Sequence, residues 1–126
     1  MGKIVKVTNK DITKRVKTEP FAAIQHDGSY ATAGTVLQMI GIHNLGISPG
    51  DKKLSIDSLV DKLMDDTSNL HVPEIIENET ERLISQRKLT LHVDSWVVLE
   101  VNPDTEWTEV VFYTDQQFKA RYEVVK

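Results

Sequence analysis

At 126 residues the chain has room for one domain, because domains run to roughly 100 to 200 residues. Hydrophobic residues make up 40% and charged residues 27%, a globular composition that excludes a disordered chain, a collagen-like repeat and a coiled-coil rod. There is no cysteine, so disulfides, thiolate metal sites and cysteine nucleophiles are all excluded, and a net charge of −4 disfavours nucleic acid as a partner.

No apolar run approaches the roughly 20 residues that span a bilayer, and the first residues lack the basic, apolar, small-residue order of a signal peptide. The expectation is a cytoplasmic protein with no membrane partner. Charge divides along the chain. Residues 1–17 place Lys3, Lys6, Lys10, Lys14, Arg15 and Lys17 against Asp11, whereas residues 51–81 place nine acids against Lys52, Lys53 and Lys62. Two solvated segments of opposite sign are one reading, and a basic arm for nucleic acid is the other.

In chain order, Lys3 to Val7 alternates as a short strand, and Thr8 to Lys17 reads as a loop or mobile arm. Phe21 to Gln25 is a second strand. His26-Asp27-Gly28-Ser29 is a turn, with Gly28 supplying positive φ and Ser29 capping a helix that carries Val36, Leu37 and Ile40. Gly34 weakens that helix, Gly41 and Asn44 to Gly46 end it, and Ser48-Pro49-Gly50-Asp51 is a turn. Ile56, Leu59, Val60, Leu63 and Met64 share one helical face by their spacing. Asp65 to Leu70 breaks this helix, and Pro73 opens a further one that carries Ile75, Ile76, Leu83 and Ile84.

The last third changes period. Leu89, Leu91 and Val93 alternate as a half-buried strand, and Trp96 to Val101 is a nearly continuous apolar run that suits a central strand. Asn102-Pro103-Asp104 starts a turn, Glu109 to Tyr113 forms the next strand, and Phe118, Ala120, Tyr122 and Val124 alternate as the last. The fold class is therefore α+β, a mainly antiparallel β-sheet with two or three helices packed on one face. Within the single domain, residues 1–45 form a strand-turn-helix unit, 46–88 a helical insertion and 89–126 the antiparallel strands.

Lys14 to Gly28, with Pro20-Phe21-Ala22-Ala23-Ile24-Gln25-His26-Asp27-Gly28 at its end, resembles the N-terminal E-A-F-Q-W-D-G pattern of a family of small phage and prophage proteins of uncharacterised function. Ser95-Trp96-Val97-Val98, then Val111-Phe112-Tyr113, Phe118, Tyr122 and Glu123, is similar to that family's closing G-D-W-I-I, E-F-Y-P and F-x-x-x-Y-E segments. His26 stands in place of the family's tryptophan, Thr114-Asp115-Gln116 replaces a Pro-Cys-Lys-Pro stretch, and residues 46–88 are inserted. The resemblance implies a phage origin and a small α+β fold and brings no catalytic residue with it. Short phage proteins of this kind often block host defence, by inhibiting a host protein or by sequestering a nucleotide signal.

No phosphate-binding glycine loop is present, and His43, His71 and His92 lack the i, i+4 spacing of a zinc pair, so neither a metal nor a cofactor is expected. Asp61, Asp65 and Asp66 cluster at a helix end, where a solvated acidic face competes with acid–base or cation chemistry. His26 and Asp27 lie where a helix N-terminus is able to meet an anion, with a plain capping turn as the alternative. The binding signal is stronger on the sheet. Lys119 and Arg121 project opposite Phe118 and Tyr122, with Trp96, Trp107, Phe112 and Tyr113 in neighbouring strands, and Arg82 or Arg87 is placed to join Arg121 against a stacked base and its phosphates. The alternative is core aromatics with a rim of cations. The expected ligand-binding set is thus Arg82, Arg87, Trp96, Phe112, Tyr113, Lys119, Arg121 and His26, with no catalytic residue.

These features point to a non-enzymatic phage anti-defence protein, a homo-oligomer that sequesters a small nucleotide immune signal in a pocket between protomers. The alternative is an inhibitor that docks the acidic helical insertion on a host defence protein.

Overall fold

The computed structural model describes residues 2–40, 56–72, 77–78, 83–85 and 89–126. Its strands are β1 (Val5–Asn9), β2 (Phe21–Gln25), β3 (Leu70–Val72), β4 (Glu77–Asn78), β5 (Leu83–Ser85), β6 (Leu89–Leu91), β7 (Trp96–Val101), β8 (Thr108–Tyr113) and β9 (Tyr122–Val124), and its helices are α1 (Tyr30–Met39), α2 (Ile56–Leu63) and α3 (Asp115–Arg121). Seven strands form one sheet in the order β4-β5-β8-β7-β2-β1-β9, and β3 pairs with β6 apart from it. From β8 to β9 every neighbour is antiparallel, while β5 joins β8 in parallel. The apolar run of β7 lies in the middle of the sheet, as its composition requires of a strand covered on both faces.

The alternation of β7 divides the core in two. Val97 packs with Ile24, Val110, Val36 and Leu37 beneath α1 and α2, and its neighbour Val98 packs with Ala23, Phe21, Phe118 and Tyr122 on the other face. Two helices thus share one face, as expected, and the short α3 covers part of the opposite one. In α2, Leu59 and Val60 are buried and Ile56, Leu63 and Met64 lean on the same core, the face the spacing marked. A Cβ at Gly34 would stand 3.0 Å from Ile56 Cγ2, so the glycine that weakens α1 as a helix is what admits α2 against it.

The N-cap of α1 is built as expected: the Thr32 N–H donates to Ser29 Oγ at 3.2 Å, and Gly28 has a φ of +84°. Two elements differ from the sequence pattern. Residues 77–78 and 83–85 are strands within what reads as a second insertion helix, because Leu83 to Ser85 finds a parallel partner in Thr108 to Val110. The stretch from Phe118 starts as helix: Thr114 and Gln117 form a reciprocal capping box, and only Tyr122 to Val124 is strand, paired with β1. The turn at Ser48 to Asp51, the helix ends at Gly41 and Asn44 to Gly46, the helix start at Pro73, and His43 lie outside the described residues.

Residues 8–17 are no mobile arm. A 3-10 turn at Ile12–Lys14 is capped by Asp11, the Lys10 N–H donates to the Arg121 carbonyl at 3.0 Å, and Arg15 pairs with Glu123 at 2.9 Å. The basic segment is thereby laid across the sheet face that α3 covers only in part.

Candidate functional site

Between that segment, the 102–107 loop and the end of α3 lies a cleft of about 1070 Å³. The ends of three strands supply Asn9, Phe21 and Glu100, the segment supplies Asp11 and Lys14, the loop supplies Trp107, and Arg121 and Tyr122 close the remaining wall. The loop keeps its shape because Asn102 Oδ1 accepts from the Asp104 N–H at 2.8 Å and the Thr105 N–H at 3.2 Å, and the Asn102 N–H donates to the Trp107 carbonyl.

Glu100 is the hub of the floor. Its Oε1 accepts from the hydroxyls of Tyr113 and Tyr122, the second at 2.5 Å, and Arg121 Nη2 lies 3.6 Å from the same oxygen. The Arg121 guanidinium carbon stands 5.8 Å from the Tyr113 ring centre and 5.5 Å from that of Tyr122, within cation–π range of both. Burial, together with the Glu100 carboxylate they donate to, pushes the Tyr122 hydroxyl up to about 12 and raises that of Tyr113 as well. Both phenols therefore stay protonated and donating at neutral pH. Glu109 is the register partner of Glu100 on β8 and also lines the cleft.

The expected binding residues disperse. The Arg121 guanidinium stands over the Tyr113 ring, but Tyr113 lies outside the cleft lining and Arg121 leaves from a helix end rather than a strand. Trp96 instead stacks on Phe118 with ring centres 3.8 Å apart and donates from Nε1 to Asp115 at 3.0 Å, which anchors α3 to β7 outside the cleft lining. Phe112 lies opposite Val97 and packs on the α1–α2 face. Lys119 is exposed and pairs with Asp115 at 2.8 Å along its own helix. Arg82 and Arg87 lie outside the described residues.

His26 has no surface at all. Its Nε2 donates to the Ser68 carbonyl at 2.6 Å, and its Nδ1 is buried with no partner among the described residues, so it cannot meet a ligand from solvent. Asp27 holds the turn ahead of the Ser29 cap: its carboxylate accepts from the Ser29 and Gly2 backbone N–H groups at 2.9 Å each. The Ser29 side chain and these backbone bonds hold that carboxyl well below its usual range, and the charge at the helix N-terminus repels a phosphate there.

Asp65 likewise serves a turn, accepting from the Thr67 and Asn69 N–H groups, while His71 Nε2 donates to its other oxygen at 2.7 Å. Thr90, the register partner of His71, places Oγ1 3.2 Å from Nδ1. This chain of three polar groups clamps β3 to β6.

Glu100, Trp107, Lys14 and Phe21 are site residues absent from the expected set. Glu100 had a signal: it is the one acid inside the apolar run from Trp96 to Val101. The others are united only by the fold. Among the described residues no helix is long and apolar enough to cross a membrane. No protein-family model, no curated protein and no solved structure matches the chain.

Proposed function

We propose that this is a non-enzymatic binding protein of phage origin that sequesters a small nucleotide-like immune signal of the host, and that the cleft over Glu100 and Arg121 is its receptor. The observation that supports it most is the cleft itself. Its volume lies just above the roughly 300 to 1,000 Å³ of small-molecule sites, the half-buried Trp107 offers an aromatic wall for a base over a floor in which Phe21 and Tyr122 are buried, and Lys14 and Arg121 offer positive charge for phosphate. The phage origin and the anti-defence role draw on the resemblance at Lys14 to Gly28 and Ser95 to Glu123. One chain suffices to form the cleft, so oligomerisation would add copies of the site and is not needed to build it.

The competing reading, an inhibitor that docks the acidic insertion on a host defence protein, draws on Asp57 and Asp61, which α2 leaves exposed. Lys62 is exposed beside them, and the acidic face is correspondingly weaker. Native mass spectrometry of protein purified from cells with and without an active nucleotide-signalling defence system separates the two and reads the subunit count. A bound mass of a few hundred daltons per site in signalling cells, lost in Arg121→Ala while the melting temperature holds, is expected. An apo mass under both conditions refutes the sequestering reading.

A further inference from the structure

The floor of the cleft also bears on which base is taken, an inference that rests on the nucleotide-binding reading above. The two phenols fill the lone pairs of Glu100 Oε1. Glu100 Oε2 accepts no hydrogen bond from the described residues and is not sealed in the core, and Glu100 is part of the cleft lining. With its side chain only 18% exposed and two hydroxyls and a guanidinium turned toward its other oxygen, the carboxylate meets a ligand as a charged acceptor with nothing to donate. A ligand edge laid on it must donate, since an opposed acceptor would leave two lone pairs facing each other out of water.

The bases differ in this respect. Adenine and cytosine each present one amino group beside a ring-nitrogen acceptor, and uracil presents one N–H between two carbonyls. Guanine alone sets two donors, N1–H and the N2 amino group, side by side. We propose that Glu100 reads the base and that the cleft selects a guanine nucleotide, with N1–H and the N2 amino group donating to Glu100 Oε2. The phosphate then falls to Lys14 and Arg121. Because Asp11 and Glu100 stand beside those two cations in the lining, the cleft suits a ligand with one phosphate or a phosphodiester better than a triphosphate.

Titration calorimetry with guanosine, inosine and adenosine 5′-monophosphate tests the assignment on the intact chain. Inosine lacks only the N2 amino group, and the guanosine nucleotide is expected to bind about tenfold tighter than either of the others, the discrimination of one hydrogen bond to a charged group. Glu100→Gln should level the guanosine and inosine affinities. Tyr122→Phe keeps the carboxylate and should keep the preference. Should Glu100→Gln not fold, the three affinities of the unaltered protein decide alone. Equal binding of all three refutes base reading by Glu100 and leaves the nucleotide reading standing, whereas binding of none refutes both.

Discussion

Phe118 is the residue by which α3 is attached to the sheet, and Phe118→Ala measures that attachment. The ring is 3% exposed, lies parallel to Trp96 at 3.8 Å and stands 5.8 Å from Tyr122. Truncating a buried phenylalanine costs roughly 3 to 5 kcal/mol, including the lost stack. Because α3 is an outer layer able to settle toward β7, the lower end applies, about 3 kcal/mol. At roughly 4 °C per kcal/mol for a chain of this size, the melting temperature should fall by about 12 °C. Urea unfolding followed by tryptophan fluorescence reads both the loss and the change at Trp96. Ala120→Lys is the control. Ala120 is exposed on α3, so the substitution should change stability by less than about 0.5 kcal/mol, whereas a strand through Phe118, Ala120 and Tyr122 would bury the new charge. A Phe118→Ala loss under about 1 kcal/mol, or a severe loss from Ala120→Lys, would refute the helical placement.

Gly34→Leu should destabilise by about 1 to 3 kcal/mol, because a branched side chain cannot enter where even a Cβ meets Ile56 at 3.0 Å; equilibrium urea unfolding checks it, and a gain in stability would show that α1 and α2 do not approach this closely. The tyrosine pair predicts an alkaline limit. The folded state keeps the Tyr122 hydroxyl protonated up to about 12 against about 10 for an unfolded tyrosine, so its contribution is complete below pH 10 and is lost as pH rises toward 12. Thermal melts from pH 9 to 12 should fall more steeply in the unaltered protein than in Tyr122→Phe, and parallel profiles would contradict the hydrogen bond to Glu100.

Much of the fold is legible in the residues. The spacing of Ile56, Leu59, Val60, Leu63 and Met64, the cap at Ser29, the turns at Gly28 and Asn102, and the central position of Trp96 to Val101 all follow from local chemistry and period. The failures share a cause. Phe118, Ala120, Tyr122 and Val124 alternate like a strand, but the capping box at Thr114 and the ring of Trp96 favour a helical turn until Tyr122 reaches β1. Leu83 to Ser85 has spacing compatible with a helix, and the free edge of β8 makes it strand.

The candidate site was legible only in pieces. Arg121 and Tyr113 stood out as a cation and a ring, while His26, placed in a turn by its neighbours, is drawn under the Ser68 carbonyl by a tertiary bond that no local pattern announces. On its own the sequence determined composition class, an α+β layout and the bounds of β2, α1, α2 and β7, because these depend on periodicity and on residues adjacent in the chain. Only the tertiary structure decided that Asp11 and Lys14 cross the sheet to face Glu100, Trp107 and Arg121, because a cleft is made by residues distant in sequence whose meeting depends on how the whole core packs.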